Sequence, residues 1–268
     1  MLGDLTQTAA DLLAGGQDRG RMHIVGLGAA QGAGKSTLAA ALAARDPRLL
    51  VLSLDDFYLT RAERGALADA VHPLFTTRGP PGTHDLDLLH GVLARLAQGV
   101  RTRLPRFDKR SDDRLPESTW PIIHATPRAI LLEGWCVGAT AQPESALTRP
   151  INALEAMHDP LGVWRRRVNT ALAHSYAGLW DRLDDLLYLS APDFAVVADW
   201  RLQQEGALQG LACEALGHTA RADIQRFVAH FERITRHMLD GGLRARLEVR
   251  LDHQRRPISA PIRRPAAG

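Results

Sequence analysis

The sequence predicts an α/β fold: a parallel sheet covered by helices on both faces. Three observations carry this. Short runs that are apolar throughout alternate with longer segments of helical periodicity. Those runs lack the polar alternation of a half-exposed strand, so both of their faces need cover. Three of them also end in a Gly-rich turn, an Asp pair or a glutamate, and ligands of such sheets bind beyond the carboxyl ends of the strands.

Taken in order, residues 4–14 read as a short amphipathic helix, followed by a Gly-rich break, GGQDRG. MHIVGLGA (22–29) is a buried strand, and the Ala- and Leu-rich STLAAALAA (36–44) is a helix. LLVLSLDDFY (49–58) is a second buried strand that ends in two acids, and 60–70 is helical. Residues 72–85 are dense in Gly and Pro and form a loop. Residues 85–99 place Leu86, Leu89, Leu93 and Leu96 on one helical face. The polar stretch 101–121 is an ordered surface loop, AILLE (129–133) a third strand, 160–180 a helix and LLYLSAP (186–192) a fourth strand. Asp193 is a suitable N-cap for a helix over 193–208. The clearest helix is 222–239, with Ile224, Phe227, Val228, Phe231, Ile234 and Met238 on one face. The tail RRPISAPIRRPAAG is expected to be mobile, and no internal repeat is evident.

A chain of 268 residues suits one large α/β domain or two small ones. No apolar run approaches the ~20 residues of a membrane span, so no membrane partner is expected. The first residues carry acids and no basic segment of a secretory signal. Cys136 and Cys213 are far apart and in no metal-like spacing, which suits a reduced, cytoplasmic protein. The net charge of +3 fits an anionic small molecule and is too modest to suggest nucleic acid. The chain uses arginine throughout and has only two lysines, Lys35 and Lys109, so a local chemical reason for each is expected.

Ala29-Ala-Gln-Gly-Ala-Gly-Lys-Ser36 fits the phosphate-loop pattern, with Ala29 where Gly is usual. Gly32 and Gly34 let backbone N–H groups turn inward, and the following helix adds the positive end of its dipole. Gln31, Gly32, Ala33, Gly34, Lys35, Ser36 and Thr37 form the expected ATP cradle. Lys35 reaches the β- and γ-phosphates and Ser36 is a ligand of Mg²⁺. No Asn-Lys-x-Asp motif accompanies the loop, which argues against a GTPase. A small-molecule kinase needs a further carboxylate near Mg²⁺, a base for the acceptor hydroxyl and a cationic closing element. Glu133 supplies the first, with Asp55 also near the metal. Asp55 is the expected base, and Asp56 supports the loop or a water on Mg²⁺. Arg201 is the chosen closing residue, ahead of the run Arg165–Arg167.

The motifs GAGKST, SLDDFYLT, RGPPGTHD, PRFDK, ESTWP, ILLEGW, VNTALAHSYAGLW and DWRLQQE occur in that order. Together they resemble the D-glycerate 3-kinase family, which is related to uridine kinase, phosphoribulokinase and pantothenate kinase. The resemblance runs from about residue 22 to about residue 240. Residues 138–160 and the Arg-rich tail fit it poorly. It implies a P-loop kinase fold, ATP with Mg²⁺, and transfer to the 3-hydroxyl of D-glycerate. It offers Arg78, His84, Asp85, Lys109 and Arg114 for the acceptor pocket, to which Asp56 and Tyr58 are added. The expected organisation is an N-terminal helical extension (1–20), the kinase domain (21–255) and a tail (256–268). An acceptor carboxylate would call for a cation such as Arg78 or Lys109. Phe57, Tyr58 and Phe107 are the only aromatics near the stretches that offer these acceptor residues. Two other readings stay open: a kinase of the same fold acting on a nucleoside, pantothenate or a sugar phosphate, and an ATP-binding regulatory protein that transfers nothing.

Overall fold

Apolar runs with no exposed face pair side by side in the computed structural model, which describes residues 2–15, 22–208, 210, 217–258 and 262–263. The chain begins with α1 (Leu2–Ala14), β1 (His23–Ala29), α2 (Lys35–Arg45), β2 (Leu49–Ser53), α3 (Arg61–Ala70) and α4 (Leu86–Ala97). Four two-residue strands follow, β3 (Thr102–Arg103), β4 (Phe107–Asp108), β5 (Asp113–Arg114) and β6 (Ile122–Ile123), and then β7 (Ala129–Gly134). The remaining elements are α5 (Ala153–His158), α6 (Val163–Ala171), α7 (Ala177–Trp180), β8 (Asp185–Ser190), α8 (Ala195–Leu208), α9 (His218–Ala229), α10 (Glu232–Leu239), β9 (Leu247–Arg250) and β10 (Ile262–Arg263). The main sheet has the order β10-β9-β8-β1-β7-β2. All of its pairs are parallel except β10 with β9.

Alternation along each strand divides the core between the two faces. Ile24, Ile130, Leu132, Leu186 and Tyr188 belong to one apolar cluster, with Leu89, Leu93 and Trp164 from the covering helices. Val25, Leu27, Leu131, Leu187, Leu189 and Val249 belong to the other, with Leu38, Leu42, Val197 and Trp200. Both faces are therefore covered, as the uniformly apolar strands require. Local side-chain caps start three of the helices, the one at Asp193 as expected. Asp85 caps α4, accepting from Leu88 N at 2.9 Å, and the Asp193 carboxylate accepts from Val196 N at 2.9 Å at the start of α8. Thr60 and Glu63 form a reciprocal capping box on α3.

Several expectations need correction. The second strand stops at Ser53, and Leu54–Phe57 form a 3₁₀ turn. The apolar face over 222–239 serves two cores. Ile224 and Val228 pack on one side of the sheet, Phe231, Ile234 and Met238 on the other. The helix accordingly breaks between α9 and α10, where His230 N and Phe231 N bond three residues back. The helix expected over 160–180 starts at Val163, after Gly162 in a left-handed conformation, and passes through a π turn at Leu172–Tyr176. The surface loop 101–121 carries β3–β5, with β3 paired to β6 and β4 to β5. β9 was not foreseen. The supposed mobile tail includes β10, paired with β9. The N-terminal extension is part of the core, since Leu5, Ala9 and Leu13 are buried. Apart from Gly15, the GGQDRG break lies outside the described residues, as does Cys213. Cys136 is buried and free. Among the described residues no helix is long and apolar enough to cross a membrane.

Buried ion pairs hold the segment before α6. Arg233 on α10 donates from Nε and Nη2 to the two carboxylate oxygens of Glu155 on α5, at 2.7 and 2.6 Å, and both residues are buried. Arg165 pairs with Asp159 at 3.1 Å, both side chains 1% exposed. Arg165 is thus structural, and Arg166 pairs with Glu144. Glu155→Ala strands the Arg233 guanidinium, and we expect a loss of about 3–5 kcal/mol, read as a lower denaturant midpoint at an unchanged m-value.

Candidate active site

Strand register places the first functional side chains. β7 lies between β1 and β2, with Glu133 level with Leu27 on one side and Ser53 on the other. The turns after β1 and β2 therefore flank Glu133. Ser53 Oγ donates to Glu133 Oε1 at 2.8 Å, and Ser36 Oγ lies 3.5 Å from the same oxygen. These hydroxyls and the carboxylate form a hard, oxygen-only donor set of the kind Mg²⁺ takes together with water and phosphate. Among the described residues there is no cluster of three or more His, Cys, Asp or Glu side chains suited to a metal.

The phosphate loop follows β1. Gly32 (φ 75°) and Gly34 (φ 95°) are both left-handed, and Gly34 is the N-cap of α2. A Cβ on Gly32 would lie 2.7 Å from Trp200 Cβ, whereas one on Gly34 would meet nothing within 4 Å. The first glycine thus admits α8 against the loop, and the second leaves open space at the mouth of α2. Lys35 Nζ donates to Ala29 O and Ala30 O, at 3.1 and 3.2 Å. Burial lowers its pKa, while the charges of Glu133 and Asp55 oppose that shift.

A cleft of about 460 Å³ opens over this loop. It gathers Gln31, Gly32, Gly34, Lys35, Ser36 and Thr37 with Asp55, Tyr58, Arg78, Lys109, Glu133 and Arg201. Ala33 faces the core and can contribute only backbone. The 3₁₀ turn after β2 separates the two aspartates. Asp55 faces the cleft, where Lys109 Nζ donates to Oδ2 and Tyr58 OH to Oδ1, each at 2.7 Å. Burial works to raise the Asp55 pKa, but the Lys109 charge and both hydrogen bonds outweigh it and hold the group at about 2. Asp55 has no bond to Ser36 or Glu133, so the expected metal set is joined only in part.

Asp56 turns away from the cleft. It accepts from Arg106 Nη1 at 2.9 Å and from Phe107 N at 3.1 Å, fastening the β4–β5 hairpin that presents Lys109. Burial raises its pKa. Three more expected acceptor residues are supports. His84 is buried, stacked on Tyr58 with ring centroids 4.6 Å apart, and bonded to Tyr176 OH. Burial lowers its pKa to about 4, so it is neutral at pH 7. Asp85 caps α4 and pairs with Arg114 at 3.1 Å, and Arg114 also donates to Tyr58 O. Neither reaches the cleft. Arg78 does reach it, held by Asp112, whose φ of 55° is left-handed.

Sequence reasoning missed Ser53, Gly134, Trp135, Gln204, Phe227 and Arg255, all of which line the cleft. Ser53 and Gly134 adjoin motif residues and were within reach of the pattern. Phe227 read as core, yet the guanidiniums of Arg78 and Arg201 both lie 5.9 Å from its ring centroid. Trp135 is 3% exposed, donates its indole N–H to Gly79 O and meets Phe231 edge-on. Arg201 pairs with Glu205 at 3.0 Å, one turn along α8.

No family model matches the chain. It is 33% identical over 225 residues to the uncharacterized kinase mug58 of Schizosaccharomyces pombe, covering 79% of each chain. It is 28% identical over 258 residues to the chloroplastic D-glycerate 3-kinase of Arabidopsis thaliana, covering 88% of this chain but 54% of that one, so it spans about half of the plant protein. A solved D-glycerate 3-kinase from Cryptococcus neoformans is similar in fold, with a TM-score of 0.77, 23% identity, and coverage of 97% of this chain and 99% of that one.

The electrostatics of Asp55 can be read without activity. A carbon-detected NMR titration should give its carboxyl a midpoint of about 2. In Lys109→Met both contributions of the ammonium are lost, and the midpoint should rise from there. An unmoved midpoint would remove Lys109 from the control of Asp55.

Proposed function

The chain belongs to the D-glycerate 3-kinase family of P-loop kinases, and from that premise we propose that it transfers the γ-phosphoryl group of ATP to the 3-hydroxyl of D-glycerate. The charge of the cleft is the observation that carries the acceptor. Among the described residues Lys35, Arg78, Lys109, Arg201 and Arg255 line it with Asp55 and Glu133, while Asp112 and Glu205, outside the lining, pair with Arg78 and Arg201. Five cationic side chains at one cleft suit a polyphosphate together with an acceptor carboxylate. The aromatic side chains favour the same reading. The ring of Phe227 carries the guanidiniums of Arg78 and Arg201, each 5.9 Å from its centroid, and Trp135 is engaged by Gly79 and Phe231. Neither is disposed as a free platform for a nucleobase.

In this reading the backbone of Gln31–Thr37 and the Lys35 ammonium hold the β- and γ-phosphates. Ser36 and Glu133, steadied by Ser53, would hold Mg²⁺, which supplies charge neutralisation on the phosphates when bound. Arg78 and Lys109 take the acceptor carboxylate. Lys109 bonds Asp55 at 2.7 Å, and an acceptor carboxylate offers it a second anionic partner beside the first. Asp55 orients the 3-hydroxyl. The hydroxyl oxygen forms its bond to the γ-phosphorus as the bond from phosphorus to the bridging oxygen breaks, and the proton passes to Asp55. A carboxylate held at about 2 is a weak base. It suffices because a loose transition state makes the hydroxyl acidic only late in transfer. Arg201, carried on α8 against the loop, neutralises charge on the transferring group and helps to exclude water. The same reading places the protein in the cytoplasm, with the region 21–255 as its kinase domain.

Coupled ADP-release assays across an acceptor panel test this. D-Glycerate should stimulate turnover, while uridine, pantothenate and ribulose 5-phosphate should not. Stimulation by one of these alone would reassign the acceptor, and stimulation by none would end the transferase reading. Asp55→Asn should keep Mg·ATP affinity yet slow transfer by about 10²–10⁴-fold. Arg78→Ala should chiefly raise the acceptor KM, because a carboxylate clamp acts alike on the ground and transition states.

A further inference from the structure

Two non-glycine residues have left-handed backbone among the described residues, Asp112 and Arg255. Such strain persists only where the surroundings enforce it, and it gathers at functional sites. Asp112 holds Arg78. Arg255 lies 223 residues from the phosphate loop in sequence, yet its Nε donates to Gly32 O at 2.6 Å. Its guanidinium carbon sits 5.1 Å from the centroid of the Trp200 ring, and its Nη2 donates to Gln203 Oε1 at 2.8 Å. One side chain thus touches the loop and two residues of α8 three apart on one face, Trp200 and Gln203, which flank Arg201 in sequence.

The turn that carries Arg255 is itself fixed. Asp252 Oδ1 accepts from Gln254 N and Arg256 N, at 2.8 and 2.9 Å, and Arg255 N donates to Asp252 O at 2.9 Å. From the other side, the indole N–H of Trp200 donates to His253 O at 2.9 Å. Trp200 is fully buried, and Gly32 has no Cβ because Trp200 occupies that space. Loop, helix and turn therefore form one interlocked contact, with Arg255 also lining the cleft.

We propose that Arg255 is a positioning residue for the nucleotide: it clamps the Gly32 carbonyl, so that the neighbouring N–H groups of the loop stay turned toward the phosphates, and it sets α8, with Arg201, at a fixed distance from them. The inference rests on the cleft being the ATP site. It assigns Arg255 to the phosphate end of the ligand and gives it no part in holding the acceptor.

Calorimetry with Mg·ATP, steady-state kinetics and inhibition by inorganic tripolyphosphate test it together. In Arg255→Ala the Kd for Mg·ATP should rise by about ten- to a hundredfold, the range for a lost charge-assisted hydrogen bond. The inhibition constant of tripolyphosphate, which has neither base nor sugar, should rise by a similar factor, and the acceptor KM should stay within twofold. Arg255→Lys keeps a charge and one donor and should recover part of the loss, which also answers a folding defect in the alanine variant. If both variants bind Mg·ATP as the parent does, Arg255 has no such role and the ATP site stands. A loss for ATP with none for tripolyphosphate would move Arg255 to the nucleoside end and overturn the clamp. If the parent binds no nucleotide, the ATP site falls first and the inference with it.

Discussion

The lateral register of β1, β7 and β2 is the constraint on which the site depends. Parallel strands joined by helices end on the same side of the sheet, so the turn after β1, the turn after β2 and the end of β7 must meet. Hydrogen bonding sets Leu27, Glu133 and Ser53 in one row. Glu133 therefore stands between Ser36 and Ser53 before any ligand arrives. A one-residue slip of β7 would turn Glu133 to the opposite face and put its apolar neighbours in its place. The uniform burial of these strands makes such a slip expensive, because both apolar clusters interlock with them.

Close packing above the sheet carries that order to the edge of the cleft. The contact of Gly32 with Trp200 brings α8 onto the phosphate loop with no side chain between them. α9 adds Phe227, on whose ring the guanidiniums of Arg78 and Arg201 converge. Two cations from distant parts of the chain thereby share one apolar support, an arrangement that offsets part of the entropy of ordering long side chains. The cationic excess of the cleft is tolerable without ligand because several of its members already have anionic partners: Lys109 with Asp55, Arg78 with Asp112, Arg201 with Glu205.

Behind the cleft lies a layer of polar support, buried at Tyr58 and His84 and partly buried at Asp56, Asp85 and Arg114. Asp56 pins the β4–β5 hairpin, Arg114 ties that hairpin to Tyr58 and Asp85, and His84 stacks beneath Tyr58. Motif residues divide between those that line the cleft and those that hold the first group in place. The pattern alone does not separate them. Asp55 and Asp56 are adjacent and chemically identical, and only the 3₁₀ turn at Leu54–Phe57 sends one into the cleft and the other toward Phe107.

What the sequence determined by itself was everything set by local pattern: the buried strands, the phosphate loop with its two permissive glycines, the cap at Asp193, and the side of the sheet on which Asp55 and Glu133 lie. These follow from periodicity and from backbone preferences that act over a few residues. Tertiary structure decided the rest. It split the apolar face of 222–239 between two cores, enlisted the short, charged β9 as a strand, placed Asp56, His84, Asp85 and Arg114 as supports, and brought Phe227 and Arg255 to the cleft. The physical reason is common to all of these. Which partner a side chain meets depends on packing between segments far apart in the chain, and a residue's own neighbours in sequence carry no record of that meeting.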